Sequence, residues 1–196
     1  MTHTTQRIVL ASTSPFRREL LGRLRLAFEI ANPVTDETPL PSEAPEATAI
    51  RLAVDKAKNV ASRFPDALII GSDQVAHANG RNYGKPGTRE NAIAHLAEMS
   101  GRCIVFHTAV SLHNSHTGQT QTACVPTSVG FRTLTAPEIE RYVDADQPLN
   151  CAGSARSESL GVSLLEYMRG DDPTALIGLP LIKLCQMLRN EGIALP

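Results

Sequence analysis

The tetrapeptide Ala67-Leu68-Ile69-Ile70, with no polar residue in it and Gly71-Ser72-Asp73 directly after it, constrains this chain more than any other segment. A strand that is apolar on both faces must be covered on both, which is the layering of α/β proteins. Its polar end predicts Asp73 at the carboxyl tip of a buried central strand, where open α/β sheets collect ligands. Upstream, residues 7–11 read as a short strand, and Ser12-Thr13-Ser14-Pro15 offers Ser14 as an N-cap and Pro15 as the first helical residue. The spacing of Phe16, Leu20, Leu21 and Leu24 predicts a helix over 16–24, and residues 27–31 predict a second strand.

Pro33, Pro39, Pro41 and Pro45 punctuate a segment over 31–50 that carries Asp36, Glu37, Glu43 and Glu46 but no Lys or Arg. It reads as a loop, followed by a helix over 45–62 with Ile50, Ala53, Val54, Ala57 and Ala61 on one face. Gly80, Gly84 and Gly87 mark turns after the central strand, and Thr88 caps a helix over 89–99. Residues 103–112 and 120–133 read as long strands joined in a hairpin around 113–118. Thr135 and Glu138 form a capping box for a helix to residue 144. A Gly/Ser-rich stretch over 153–161 precedes a last helix, which opens at Gly178-Leu179-Pro180 and ends near Asn190. Alternation in the first half and a hairpin in the second predict a mixed sheet.

Nineteen Lys and Arg against twenty Asp and Glu give a formal net charge of -1. A protein that coats nucleic acid needs a basic surplus, so that class is excluded, while a local cationic pocket is not. Cys103, Cys124, Cys151 and Cys185 lie far apart with no C-x-x-C pair, and the expectation is buried reduced thiols in a cytoplasmic protein. No run approaches the roughly 18 apolar residues of a membrane span. The polar start over residues 1–6 shows no cleavable signal peptide.

The chemistry-bearing residues are individually weak. Ser12, Ser14, Arg17 and Arg18 surround a helix start, whose free N–H groups and dipole suit an anion, and two arginines add forked hydrogen bonding to phosphate. A solvated helix face is the competing reading for the two arginines. Asp73 suits a divalent cation or an attacking water, or else a turn. Lys56, Lys85 and Glu37 are single charges that surfaces often carry. His113-x-x-His116 has metal-like spacing but no third ligand and reads as a turn. No Walker loop is present. Together the cations and carboxylates describe a phosphate site.

Six ordered motifs carry a resemblance over residues 8–188. They are Ala11-Ser12-x-Ser14-Pro15-Phe16-Arg17-Arg18-x-Leu20-Leu21, Asp36-Glu37, Ala53-x-x-Lys56-Ala57, Gly71-Ser72-Asp73-Gln74-Val75, Gly84-Lys85-Pro86 and Gly178-Leu179-Pro180. In this order they resemble the Maf family of nucleoside triphosphate pyrophosphatases. Gln74 and the segment from Cys151 to Glu158 resemble the branch that acts on 7-methyl-GTP, with departures at Ala155, Arg156 and Ser159.

The resemblance implies an α/β fold with an elongated mixed sheet flanked by helices, in two lobes around a cleft, as a single domain over residues 1–196 and as a homodimer. It implies hydrolysis of 7-methyl-GTP to 7-methyl-GMP and diphosphate, a house-cleaning activity on modified nucleotides. In that picture Ser12, Arg17, Arg18, Lys56 and Lys85 bind substrate, Glu37 and Asp73 hold Mg²⁺ or Mn²⁺, and Asp73 accepts the proton of the attacking water. A free Asp, with a pKa of about 3.9, is a weak base at neutral pH, so the metal carries much of the activation. Phe16, Gln74 and Glu158 fall at positions that set base choice. Phe16 and Glu158 suit the cationic ring of an N7-methylated guanine, and Gln74 suits a neutral edge. Two other readings remain: the same reaction on dTTP, UTP or CTP, and a non-catalytic nucleotide-binding regulator of septum formation.

Overall fold

The computed structural model describes residues 6–196, so the start of the polar segment, residues 1–5, lies outside the described residues. The strands are β1 (Arg7–Ala11), β2 (Glu29–Ala31), β3 (Ala67–Ala78), β4 (Arg81–Tyr83), β5 (Cys103–Asn114), β6 (Thr120–Phe131) and β7 (Leu165–Arg169). The helices are α1 (Pro15–Gly22), α2 (Pro45–Ala61), α3 (Arg89–Met99), α4 (Ala136–Asp146) and α5 (Leu181–Asn190). The strands form one mixed sheet in the order β2-β1-β3-β5-β6-β7, with β4 paired to β3. β1 runs parallel to β2 and β3, and the other pairings are antiparallel.

Local chemistry starts the helices much as the residue types dictate. Thr88 Oγ1 accepts from the Asn91 amide at 3.2 Å. Glu138 Oε2 accepts from the Thr135 amide at 2.7 Å, closing the capping box. Ser14 caps α1 through the Arg17 amide, at a long 3.5 Å. α1 ends at Gly22, two residues before the expected end.

β3 is longer than its apolar run predicts. It does not stop at Ile70 but runs through Asp73 to Ala78. Its parallel ladder with β1 ends at the Leu10–Ile70 pair, whereas the antiparallel ladder with β5 continues to the His77–Val105 pair. The apolar run marks only the stretch paired to β1; beyond it β5, joined by β4 from Ala76, supplies the ladder and the residues turn mixed. Asp73 therefore sits in mid-strand, past the end of β1, and not at a strand tip. β4 and β7 carried no readable signal, because a three-residue strand and a short edge strand show too little periodicity.

Two cores lie along the long strands. At one end Leu10, Leu68, Ile70 and Val110 pack against Leu20 and Leu21 of α1 and Leu184 and Leu188 of α5. On the opposite face Val9 and Ile69 meet Ala57 and Val60 of α2. At the other end Ala76, Ile104 and Val129 pack with Leu96 of α3 and Val143 of α4. The four cysteines are free, but they are not buried as expected: Cys103 is exposed at the outer end of β5, and the others are half-buried. Burial still pushes the Cys124 and Cys151 thiols up to about 11, which favours the protonated thiol at neutral pH. His113 and His116 turn to different partners, Thr120 Oγ1 at 2.8 Å and Asp66 Oδ1 at 2.6 Å. Among the described residues no helix is long and apolar enough to cross a membrane.

Gly71 sets how closely α2 approaches the sheet. A Cβ built there would lie 2.0 Å from the Ala53 carbonyl oxygen and 2.9 Å from the Ala57 nitrogen, both backbone atoms that cannot rotate away. Gly71→Ala is therefore expected to destabilise the protein by about 1–3 kcal/mol, the range for overpacking a core. Denaturant unfolding measures this, and wild-type stability in the variant would show that α2 is free to shift.

Candidate active site

A cleft of about 860 Å³ opens between the two cores, where β1 ends and β3 continues. Ser12, Arg17, Lys56 and Lys85 line it, as do the two acids Glu37 and Asp73. Phe16, Gln74 and Glu158 line the same cleft. Arg18 is exposed and does not line it. Adjacent helical residues point about 100° apart, so Arg17 follows the buried Leu20 and Leu21 inward while Arg18 turns to solvent. Of the sequence-derived set, Arg18 alone falls outside.

Strand alternation sorts the cleft's side chains. Asp73 shares a face with Ile69 and Gly71, the face that meets α2, and Gly71 lets α2 come near enough for Lys56 to reach it. The Lys56 Nζ lies 2.6 Å from Asp73 Oδ1 and 2.6 Å from Glu37 Oε1. Lys56 is 5 % exposed and Asp73 8 % exposed, so this ammonium is a desolvated cation held by two carboxylates. Lys56 therefore lines the cleft with its ammonium set between the two acids.

Burial lowers the Arg17 guanidinium pKa, and the charges of Asp73 and Glu37 oppose the shift. Its Nε donates to the Gly178 carbonyl at 2.9 Å. For Glu37, burial raises the carboxyl, but Lys56, then Lys85 and Arg17, outweigh it and hold the pKa below the ordinary 4.5. Lys85 is itself exposed at the cleft rim.

Ser72 and Gln74 point to the other face of β3, toward the segment between β7 and α5. Ser72 Oγ shares its proton between Ala109 O at 2.7 Å and Gly178 O at 2.9 Å. Gln74 Nε2 donates to Thr108 Oγ1 and Leu176 O, both at 2.9 Å, and to Ala175 O at 3.2 Å. Gly178 has φ +126°, a conformation that side-chain-bearing residues rarely adopt. At the far side Arg156 stands with its guanidinium carbon 5.3 Å from the Phe16 ring centre and its Nε 3.6 Å from Glu158 Oε1.

Ser72 stands in the Gly-Ser-Asp-Gln-Val motif with no contact readable from sequence, and of residues 172–180 only the Gly-Leu-Pro end carries a motif. The available signal was Asp172-Pro173-Thr174, an Asp able to accept from a backbone two residues on.

Paired acids around one cation, further cations beside them and an aromatic and amide end to the same cleft describe a site for a phosphorylated, planar small molecule. The chain belongs to the Maf-like protein family, whose family model matches residues 7–191. Among its relatives is a protein of Aromatoleum aromaticum (strain DSM 19018 / LMG 30748 / EbN1), named 7-methyl-GTP pyrophosphatase. The two are 60% identical over 190 residues, 97% of this chain and 98% of that protein. A Thiobacillus denitrificans (strain ATCC 25259 / T1) protein of the same name is 56% identical, covering 98% of this chain and 96% of its own. A third, from Polaromonas sp. (strain JS666 / ATCC BAA-500), also bears that name and is 54% identical over 195 residues, 100% of this chain and 89% of its own.

The depressed Glu37 carboxyl makes a pH prediction. A carboxyl whose folded pKa lies below its unfolded value stabilises the fold above the unfolded value, and that contribution is lost as pH falls through the folded one. In wild type this loss falls below pH 4.5. Glu37→Gln is expected to flatten the acid limb of thermal stability measured from pH 7 downward. An unchanged acid limb would show that Glu37 is not held by the cations.

Proposed function

We propose that this protein hydrolyses 7-methyl-GTP to 7-methyl-GMP and diphosphate, removing a modified nucleotide in the cytoplasm. The observation that carries the reading is Lys56 bridging Asp73 and Glu37 at 2.6 Å within a cleft that also presents Phe16, Gln74 and Glu158. The three near-full-length relatives named 7-methyl-GTP pyrophosphatase support it. The chain acts as a single domain over residues 1–196 and as a homodimer.

In this reading the triphosphate lies along Ser12, Arg17 and Lys85. Arg17, half-buried and fixed on Gly178, neutralises phosphate charge without reorganising, and Lys85 adds an exposed cation at the rim. Arg18 on the solvent side steers the anion rather than touching it. Lys56 fixes Asp73 through Oδ1, leaving Oδ2 to take the proton of a water aimed at phosphorus in the α–β anhydride. The bond to the leaving diphosphate breaks as the water oxygen bonds to phosphorus, giving the nucleoside monophosphate.

The acid pair fits a divalent cation. Glu37 and Asp73 offer hard oxygen donors and already converge on one positive centre, the Lys56 ammonium. Mg²⁺ ordinarily takes one or two carboxylates and completes its shell with substrate phosphates and water. When bound, Mg²⁺ or Mn²⁺ supplies Lewis-acid charge on the phosphate oxygens and acidifies nearby water.

Phe16 and Glu158, which already hold the Arg156 guanidinium, suit a cation, and in this reading the cationic ring of N7-methylated guanine takes that place. A panel of 7-methyl-GTP, GTP, dTTP, UTP and CTP with Mg²⁺, with products identified, tests the reading. Expected are 7-methyl-GMP and diphosphate, with the highest kcat/KM for 7-methyl-GTP. Orthophosphate as product, or a pyrimidine preferred, would overturn it. Asp73→Asn should cost roughly 10²–10⁴-fold in kcat, the span for a positioned general base, while 7-methyl-GTP still binds.

A further inference from the structure

The segment between β7 and α5 lines the cleft, and its hydrogen bonds to Arg17, Ser72 and Gln74 come through backbone carbonyls. Gly178 O accepts from Arg17 Nε and Ser72 Oγ, while Ala175 O and Leu176 O accept from Gln74 Nε2. Carbonyls cannot donate, so these contacts settle which end of the Gln74 amide faces them: the NH₂ group does, and the oxygen does not. Gln74 Oε1 has no hydrogen-bond partner among the described residues and is left to the cleft that Gln74 lines. Gln74 thus meets a substrate as an obligate acceptor.

A single buried acid holds this segment in place. Asp172 is 2 % exposed. Its Oδ1 accepts from the Thr174 amide at 2.8 Å and the Thr174 hydroxyl at 2.6 Å, and its Oδ2 accepts from the Ile182 amide at 2.8 Å. Thr174 Oγ1 in turn accepts from the Leu181 amide at 2.9 Å and lies 2.9 Å from Leu179 O. The two side chains pin the segment's start to the first turn of α5, and neither lines the cleft.

We propose that Asp172, with Thr174, is a positioning residue for base choice: it fixes the Ala175 and Leu176 carbonyls, which hold Gln74 as an acceptor. The inference rests on the substrate reading above. Guanine presents two adjacent donors on its pairing edge, the N1 proton and the N2 amine, and so suits acceptors at Gln74 and Glu158, which line the same cleft. Uracil offers one donor between two carbonyl oxygens. An amide free to turn over would place its NH₂ toward such an oxygen and admit the pyrimidine. The fixed amide leaves that carbonyl facing another oxygen, a repulsive arrangement.

The test is the ratio of kcat/KM for 7-methyl-GTP to that for UTP, in wild type, Thr174→Val and Asp172→Asn. Loosening Arg17, which shares the segment, weakens phosphate binding for both nucleotides and cancels in the ratio, as does any loss of folded protein. The expected result is a ratio lowered roughly three- to tenfold, the worth of one net hydrogen bond. In a Gln74→Ala background the same changes should leave the ratio where Gln74→Ala alone sets it. Thr174→Val keeps the buried acid and the side-chain shape, so it serves where Asp172→Asn fails to fold. A wild-type ratio kept in folded Thr174→Val, or a further drop in the Gln74→Ala background, overturns the proposal. A wild type that shows no preference for 7-methyl-GTP over UTP instead overturns the substrate reading, and this inference with it.

Discussion

A buried ammonium between two carboxylates organises this molecule. Lys56 and Asp73 are both nearly inaccessible to solvent and meet at 2.6 Å, and Glu37 reaches the same nitrogen from the acidic loop. Two desolvated charges are costly unless their geometry is good, so the contact requires α2 and β3 to be in register and close. Gly71 supplies the closeness, because the α2 backbone occupies the space where a side chain would begin. Here a packing constraint and an electrostatic one are met by the same pair of elements.

The mixed pairing of β3 puts that contact in a cleft. Its first four residues are sealed between β1 and β5, while its outer half has lost β1 and keeps β5. Where β1 ends, one edge of β3 opens, and the side chains of Asp73 and Gln74 alternate to its two faces. One face answers to α2 and its lysine, the other to the 172–180 segment and its carbonyls. The acid-and-lysine side and the amide-and-carbonyl side of the cleft thus come from neighbouring residues of one strand, pointed apart by the pleat.

Much of this was legible in the residue order. β1, α2, α3, the long β5–β6 hairpin and the capping box of α4 follow from runs, periodicity and caps, all of which act within a few residues. The charged, aromatic and amide residues of the candidate site were legible as motifs, and all of them but Arg18 line the cleft. The continuation of β3 was not, because whether a mixed sequence extends a strand depends on the ladder next to it. Neither were β4 and β7, whose few residues carry too little pattern to stand out.

The sequence by itself determined the layered α/β class, the starts of the helices and the cast of charged and aromatic residues available to a site. Tertiary structure alone decided their partners. Lys56 is held between two acids, Arg17 turns inward and Arg18 outward, and the Gln74 amide is oriented by carbonyls about a hundred positions away. The reason is physical: propensities and caps are short-range. A buried polar group, in contrast, must find whatever donor or acceptor the packed chain brings within about 3 Å of it.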